Sequence, residues 1–140
     1  MAESGKKFHF IMLVDDNDID NLINQKIIEA SNICDGIYLH SNVKSAIEFL
    51  KNIEKISRLY PHIQLLPDLI FLDLDMPIMD GFQFLDQFDK LSAETKQHCQ
   101  IIMLTSSVNP QDASKAKNHK YIKKYLRKPL TQEEIFNLVR

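Results

Sequence analysis

The sequence predicts an α/β protein: a doubly wound, five-stranded parallel sheet forming the middle of a three-layer sandwich. Apolar runs alternate with amphipathic stretches five times along the 140 residues, the rhythm of parallel strands joined by right-handed crossover helices. The runs are near-continuous rather than alternating, which suits strands covered on both faces. The length fits one domain able to bury a core without disulfide or metal staples. Residues 1–7 read as a flexible N-terminal segment and 8–140 as a single domain, with no repeat and no output domain.

Each element has its own signal. Phe8 to Val14 is a strand ending at an acidic pair. Residues 18–31 place Ile19, Leu22, Ile23, Ile27 and Ala30 at helical spacing behind an Asn/Asp-rich start suited to capping. Gly36 precedes a short strand, Ile37 to His40. A helix from about Val43 to Leu59 carries the stripe Ala46, Ile47, Leu50, Ile53 and Ile56. Pro61 and Pro67 bracket a loop before the strand Leu69 to Leu72. A tight turn, Pro77 to Gly81, opens a helix with Phe82, Phe84, Leu85 and Phe88. Ile101 to Leu104 is the fourth strand, Gln111 to about Asn118 a weak fourth helix, and Tyr121 to Leu126 the fifth strand. Thr131-Gln-Glu-Glu134 is a capping-box signature for the fifth helix.

Composition narrows the function by exclusion. Apolar residues make up 44% and charged residues 26%, with a net charge of −2, ordinary for a soluble domain. Nothing there calls for nucleic acid or a membrane surface as partner. Charge is unevenly placed, however. No Lys or Arg occurs from Tyr60 to Asp89, whereas Lys115, Lys117, Lys120, Lys123, Lys124, Arg127 and Lys128 crowd one later stretch. That stretch reads as solvated faces or, more sharply, as a docking surface. Cys34 and Cys99 lie far apart without metal-type spacing, as thiols of a reduced compartment do. No run approaches the roughly 18 apolar residues of a membrane span, and no export signal follows the first lysines. A cytoplasmic protein is expected.

Four short pieces carry the chemistry: Asp15-Asp16, Asp73 in Leu-Asp-Leu-Asp-Met-Pro, Thr105 in Met-Leu-Thr-Ser-Ser, and Lys128-Pro129. Each follows an apolar run, so all four fall at the carboxyl ends of strands, where sheets of this kind bind ligands. Three carboxylates in one crevice repel one another unless a hard cation neutralises them. Mg²⁺, or Mn²⁺, suits few carboxylates plus a phosphate oxygen, and no Cys/His set offers a softer site. The blander reading, that Asp15, Asp16 and Asp18 cap the first helix, explains one acid and not an adjacent pair. Asp73 can attack a phosphoryl group and hold it as an acyl phosphate. Lys128 and the Thr105 hydroxyl can stabilise its oxygens.

These motifs resemble the receiver domain of two-component response regulators, in its stand-alone, chemotaxis-regulator-like form, over nearly the whole chain. The resemblance implies a flavodoxin-like sandwich with strand order 2-1-3-4-5. It makes Asp73 the phosphoacceptor and assigns the metal to Asp16, Asp73 and the main-chain carbonyl of Asp75, with Asp15 helping through water. Thr105 matches the switch hydroxyl, Lys128 the phosphate-sensing lysine, Tyr125 the aromatic switch, and Pro129 a proline that follows a cis bond. Ser106 matches the small residue that keeps the phosphate pocket accessible, and Asp75 faces the reacting group, where a carboxylate is unusual. Met76-Pro77 and Asp80-Gly81 match the turn after the phosphoacceptor. The implied donor is a sensor histidine kinase or a histidine phosphotransfer protein. The implied output is a protein target on the face of the fourth helix, fifth strand and fifth helix, in a monomer or weak dimer. The domain would be no enzyme in the ordinary sense, though it assists its own phosphorylation and the hydrolysis of its acyl phosphate.

Two rivals share parts of this pattern. Asp73-Leu-Asp75 imitates the nucleophile motif of haloacid dehalogenase-type phosphatases, but Pro77 stands where they need Thr or Val. A flavodoxin-type flavin site needs a hydroxyl- and Gly-rich loop after the first strand. Asp15-Asp16-Asn17-Asp18 there would repel a phosphate.

Overall fold

The computed structural model describes residues 7–74, 81–105, 114–116 and 118–138. Its strands are β1 (Phe8–Val14), β2 (Cys34–His40), β3 (Leu69–Asp73), β4 (Gln100–Thr105) and β5 (Ile122–Arg127). Its helices are α1 (Asp18–Ser31), α2 (Val43–Leu59), α3 (Gly81–Phe88), α4 (Ala93–His98) and α5 (Gln132–Leu138). All strand pairings are parallel, in the order β2-β1-β3-β4-β5, which is the order the resemblance implies. Order reverses beside β1, so the crevice above β1 and β3 is the natural ligand position.

Strand residues alternate between two cores. Met12, Val14, Ile70, Leu72, Ile101 and Met103 pack under α2 and α3, against Leu50, Phe84 and Phe88. Ile11, Leu13, Leu69, Phe71, Ile102 and Leu104 face α1 and α5, against Ile28 and Ile135. Phe71, Phe84 and Phe88 are completely enclosed; each such side chain contributes about 1.5–3 kcal/mol. Burial on both faces explains the unbroken apolar runs of β1, β3 and β4. The capping box opens α5: Glu134 N donates to Thr131 Oγ1 (3.1 Å), and Thr131 N to Glu134 Oε1 (3.2 Å).

Three local readings change. The apolar spacing of α1 suggests an inward stripe, yet Ile19, Leu22 and Ile23 are largely exposed and Asn21, Asn24, Ile28 and Ser31 are buried. The inner asparagines meet backbone at the sheet's edge: Asn21 Nδ2 donates to the Asp15 carbonyl at 2.9 Å, and Leu130 N donates to Asn24 Oδ1 at 3.5 Å. Gly36 lies inside β2 rather than before it. A Cβ there would sit 3.1 Å from the Phe10 ring, so the glycine lets that ring, stacked on Tyr38, lie across the strand. The short helix α4 adds to the expected elements. Its Ser92 cap accepts from Thr95 N, and Glu54 of α2 accepts from Ser92 N (2.9 Å) and Thr95 Oγ1 (2.6 Å).

Some expectations lie outside the described residues: most of the N-terminal segment, the turn through Asp75, Met76, Pro77 and Asp80, Ser106, and Lys117. Of the expected fourth helix, residues 114–116 are helical and bury Ala116.

Candidate functional site

Hydrogen bonds continue the sheet past its strands and fix where each loop begins. Asp15 N donates to the His40 carbonyl (3.1 Å), Leu74 N to Leu104 (3.0 Å), and Lys128 N to Thr105 (2.9 Å). Asp15, Asp73, Thr105 and Lys128 are therefore positioned by backbone at the carboxyl edge of the sheet, where the side chains of Asp15, Asp73 and Lys128 meet. Asp15 and Asp73 are 3% exposed and Thr105 is fully buried, whereas Asp16 points to solvent. Buried carboxylates at this density are costly without compensating positive charge.

Lys128 supplies part of that charge. Its Nζ lies 2.6 Å from Asp15 Oδ2, 3.0 Å from Asp20 Oδ2 and 3.1 Å from Asp73 Oδ1. Burial alone would lower the ammonium's pKa. Contacts from Asp15 and Asp20, with the charge of Asp73, outweigh it, so the pKa stands above the ordinary lysine value. The neighbouring carboxylates favour the charged form of Lys128, which is joined to Pro129 through a cis peptide bond.

One carboxylate oxygen each from Asp15, Asp16 and Asp73 lie within 4.8 Å of one another. An all-oxygen set of two buried and one exposed carboxylate fits a small hard dication that keeps its remaining ligands as water. The bland capping role falls to another residue. Asn17 is the N-cap of α1, its side chain accepting from Ile19 N and Asp20 N, while Asp15 Oδ1 accepts from Asn17 N at 2.9 Å. Gly81 lies against the backbone that follows β3. A Cβ there would come 3.0 Å from the Asp73 carbonyl oxygen and 3.3 Å from Leu74 Cα.

Tyr125 is half-buried on β5, opposite Met103, and packs against the core under α2 and α3. Three residues of the centre go beyond those read from sequence: Asp20, which reaches Lys128 across 108 positions, and Asn21 and Asn24 on the buried side of α1. Asp20 looks in sequence like an ordinary first-turn acid facing a helix dipole.

A doubly wound parallel sheet with an acidic cluster and a partly buried lysine at its carboxyl edge defines a phosphoryl-accepting signalling domain. The chain belongs to the response regulator receiver domain family, whose description matches residues 11–140. It is 27% identical over 125 residues to the probable methanogenesis regulatory protein FilR2 of Methanothrix harundinacea, covering 89% of this chain and 75% of that one. It is 26% identical to the response regulator Rcp1 of Synechocystis, covering 99% of this chain and 89% of Rcp1. The Mn²⁺-bound form of Rcp1 superposes with a TM-score of 0.65 over 94% of this chain and 88% of that one. A two-component response regulator from Cytophaga hutchinsonii matches with a TM-score of 0.78 at 29% identity, over 95% of both chains. As a receiver domain, the protein is a signalling phosphoacceptor of two-component systems, with histidine kinases or phosphotransfer proteins as the family's partners. Among the described residues no helix is long and apolar enough to cross a membrane.

Proposed function

We propose that Asp73 is the residue that takes the phosphoryl group, from a phosphohistidine on a kinase or phosphotransfer partner. The observation that carries this is its position. Asp73 is buried at the end of β3, next to the Lys128 ammonium and inside the Asp15-Asp16 cluster. A bound Mg²⁺ or Mn²⁺, held by Asp16 and Asp73 with Asp15 behind them, would neutralise charge on the phosphoryl oxygens. A carboxylate oxygen of Asp73 attacks phosphorus, the N–P bond breaks, and the departing imidazole takes a proton from solvent. Hydrolysis reverses the gain: water attacks phosphorus, the O–P bond to Asp73 breaks, and inorganic phosphate leaves.

Phosphorylation adds roughly −1.5 to −2 charge. In this reading Lys128 and the Thr105 hydroxyl are the donors that answer it, and Tyr125 on the neighbouring strand is the aromatic that follows Thr105. The output face is then β5 with its flanking helices, where Lys115, Lys120, Lys123, Lys124 and Arg127 are exposed and suit an acidic target. The donor approaches over α1, whose exposed Ile19, Leu22 and Ile23 border the same rim.

Incubation with Mg²⁺ and acetyl phosphate, followed by intact mass, tests the assignment. One phosphoryl adduct is expected, absent in Asp73→Asn and without Mg²⁺. Equal labelling of Asp73→Asn would overturn it. Catalytic turnover of a phosphomonoester would instead point to a phosphatase.

A further inference from the structure

Among the carboxylates that hold Lys128, Asp20 is the one outside the metal-type cluster. An ammonium has three N–H donors, and here it lies within ion-pair distance of three carboxylates, on Asp15, Asp20 and Asp73. Of these contacts the one to Asp20 Oδ2 is a hydrogen bond, at 3.0 Å, and a donor so engaged must be released before it can turn to a phosphoryl oxygen on Asp73. Asp15 is almost wholly buried, so releasing its carboxylate would leave a charge in a poorly solvated place. Asp73 is the attachment point itself. The Asp20 side chain is 35% exposed, so its carboxylate can rehydrate at little cost.

The surroundings favour that exchange. A cleft of about 270 Å³ between α1 and the segment after β5 is lined by Asp20, Ile23, Asn24, Lys128 and Pro129. Water can enter it beside the ammonium, although the Lys128 side chain is only 11% exposed. Asp20 stands in the first turn of α1, within the helix that Asn17 caps, so its backbone stays fixed while its carboxylate turns outward. Adding a phosphoryl group beside the carboxylates of Asp15, Asp16, Asp20 and Asp73 is electrostatically uphill, and the contact with Asp20 occupies part of the Lys128 ammonium that would answer it.

We propose that Asp20 is a resting-state tether of Lys128, a positioning residue that slows phosphoryl uptake and weakens the lysine's grip on the phosphorylated state. The proposal rests on the phosphoacceptor reading of Asp73. A residue serving only the α1 dipole would alter stability and leave Lys128 as it was.

Two readouts on Asp20→Asn and Asp20→Glu test it. With saturating Mg²⁺ and acetyl phosphate, Asp20→Asn should label about three-fold faster than the wild type, the scale of a partly exposed ion pair. Asp20→Glu, which restores the charge, should return toward the wild-type rate. Without phosphodonor, Lys128 should be acylated several-fold faster in Asp20→Asn by a small amine-reactive reagent, read by peptide mass spectrometry against exposed Lys26. Unchanged Lys128 reactivity in Asp20→Asn overturns the tether, as does slower labelling. Faster Lys128 acylation in a protein whose Asp73 never becomes labelled supports the tether and overturns the phosphoacceptor assignment instead.

Discussion

The Lys128 ammonium lies 3.1 Å from Asp73 Oδ1, and both side chains are nearly excluded from water. Breaking such a pair by removing one member leaves the other charge buried and uncompensated. Lys128→Met should therefore lower unfolding stability by about 3 kcal/mol in metal-free buffer. Millimolar Mg²⁺ should recover part of this by binding the folded state alone. Urea titrations with and without Mg²⁺ check both; equal losses in the two buffers would mean that the dication does not act on these carboxylates.

Gly81 makes a second prediction because its constraint is steric. Gly81→Ala places a methyl 3.0 Å from the Asp73 carbonyl oxygen and 3.3 Å from Met103 Cε. The methionine can yield, whereas the Asp73–Leu74 backbone is tied to β4 through the Leu74 N–Leu104 O bond. Overpacking of this kind costs about 1–3 kcal/mol. Slower labelling of Asp73 should accompany the loss, since the displaced atom belongs to the proposed phosphoacceptor. Retained stability together with a wild-type labelling rate would show that the backbone adapts freely.

Glu54 gives a pH dependence far from the reaction centre. Burial raises its pKa, but hydrogen bonds from Thr95 and Ser92, with the nearby Arg58 charge, more than offset that and hold it below the ordinary glutamate value. A carboxylate depressed on folding adds stability above its unfolded pKa, near 4.3, and that share disappears as pH falls through the lower folded value. Glu54→Gln should cost about 0.5–1 kcal/mol at pH 7, the screened end for charge-assisted bonds. The gap should narrow as pH falls below the unfolded value toward the lower folded one. Parallel urea curves at pH 7 and 3.5 decide; a gap that widens in acid would reverse the assigned sign.

Strand positions and the four chemical pieces were legible because burial on both faces leaves continuous apolar runs, and each run stops where the chemistry begins. The inward face of α1 was not. Periodicity assumes that apolar residues turn inward, but Asn21 and Asn24 occupy the inner side near the site, where backbone groups of the loops offer partners. Asp20 was hidden for a different reason: its partner is 108 positions away, and a first-turn acid already has a sufficient local explanation. Gly36 reads as punctuation in sequence. Its contact with Phe10 arises only once β1 and β2 are paired.

The outward apolar row of α1 leads to the last prediction. Ile19 is 69% exposed, Leu22 52% and Ile23 43%, one turn from the acidic rim and adjacent by helical spacing. The core does not need them, so Ile19→Ser and Leu22→Ser should each change stability by no more than about 0.5 kcal/mol. Acetyl phosphate is too small to touch this row, and its labelling of Asp73 should be unchanged. In the proposed reading, a phosphorylated histidine kinase or phosphotransfer protein brings its imidazole to the rim across α1. Transfer from such a donor should fall about ten-fold in the double variant, the effect of losing a 1.4 kcal/mol contact. The comparison separates docking from chemistry, because in the proposed reading both donors use the same Asp73 and the same lysine. Equal slowing with both donors would place the defect in the reaction centre, and unaltered transfer from the protein donor would move the docking surface elsewhere.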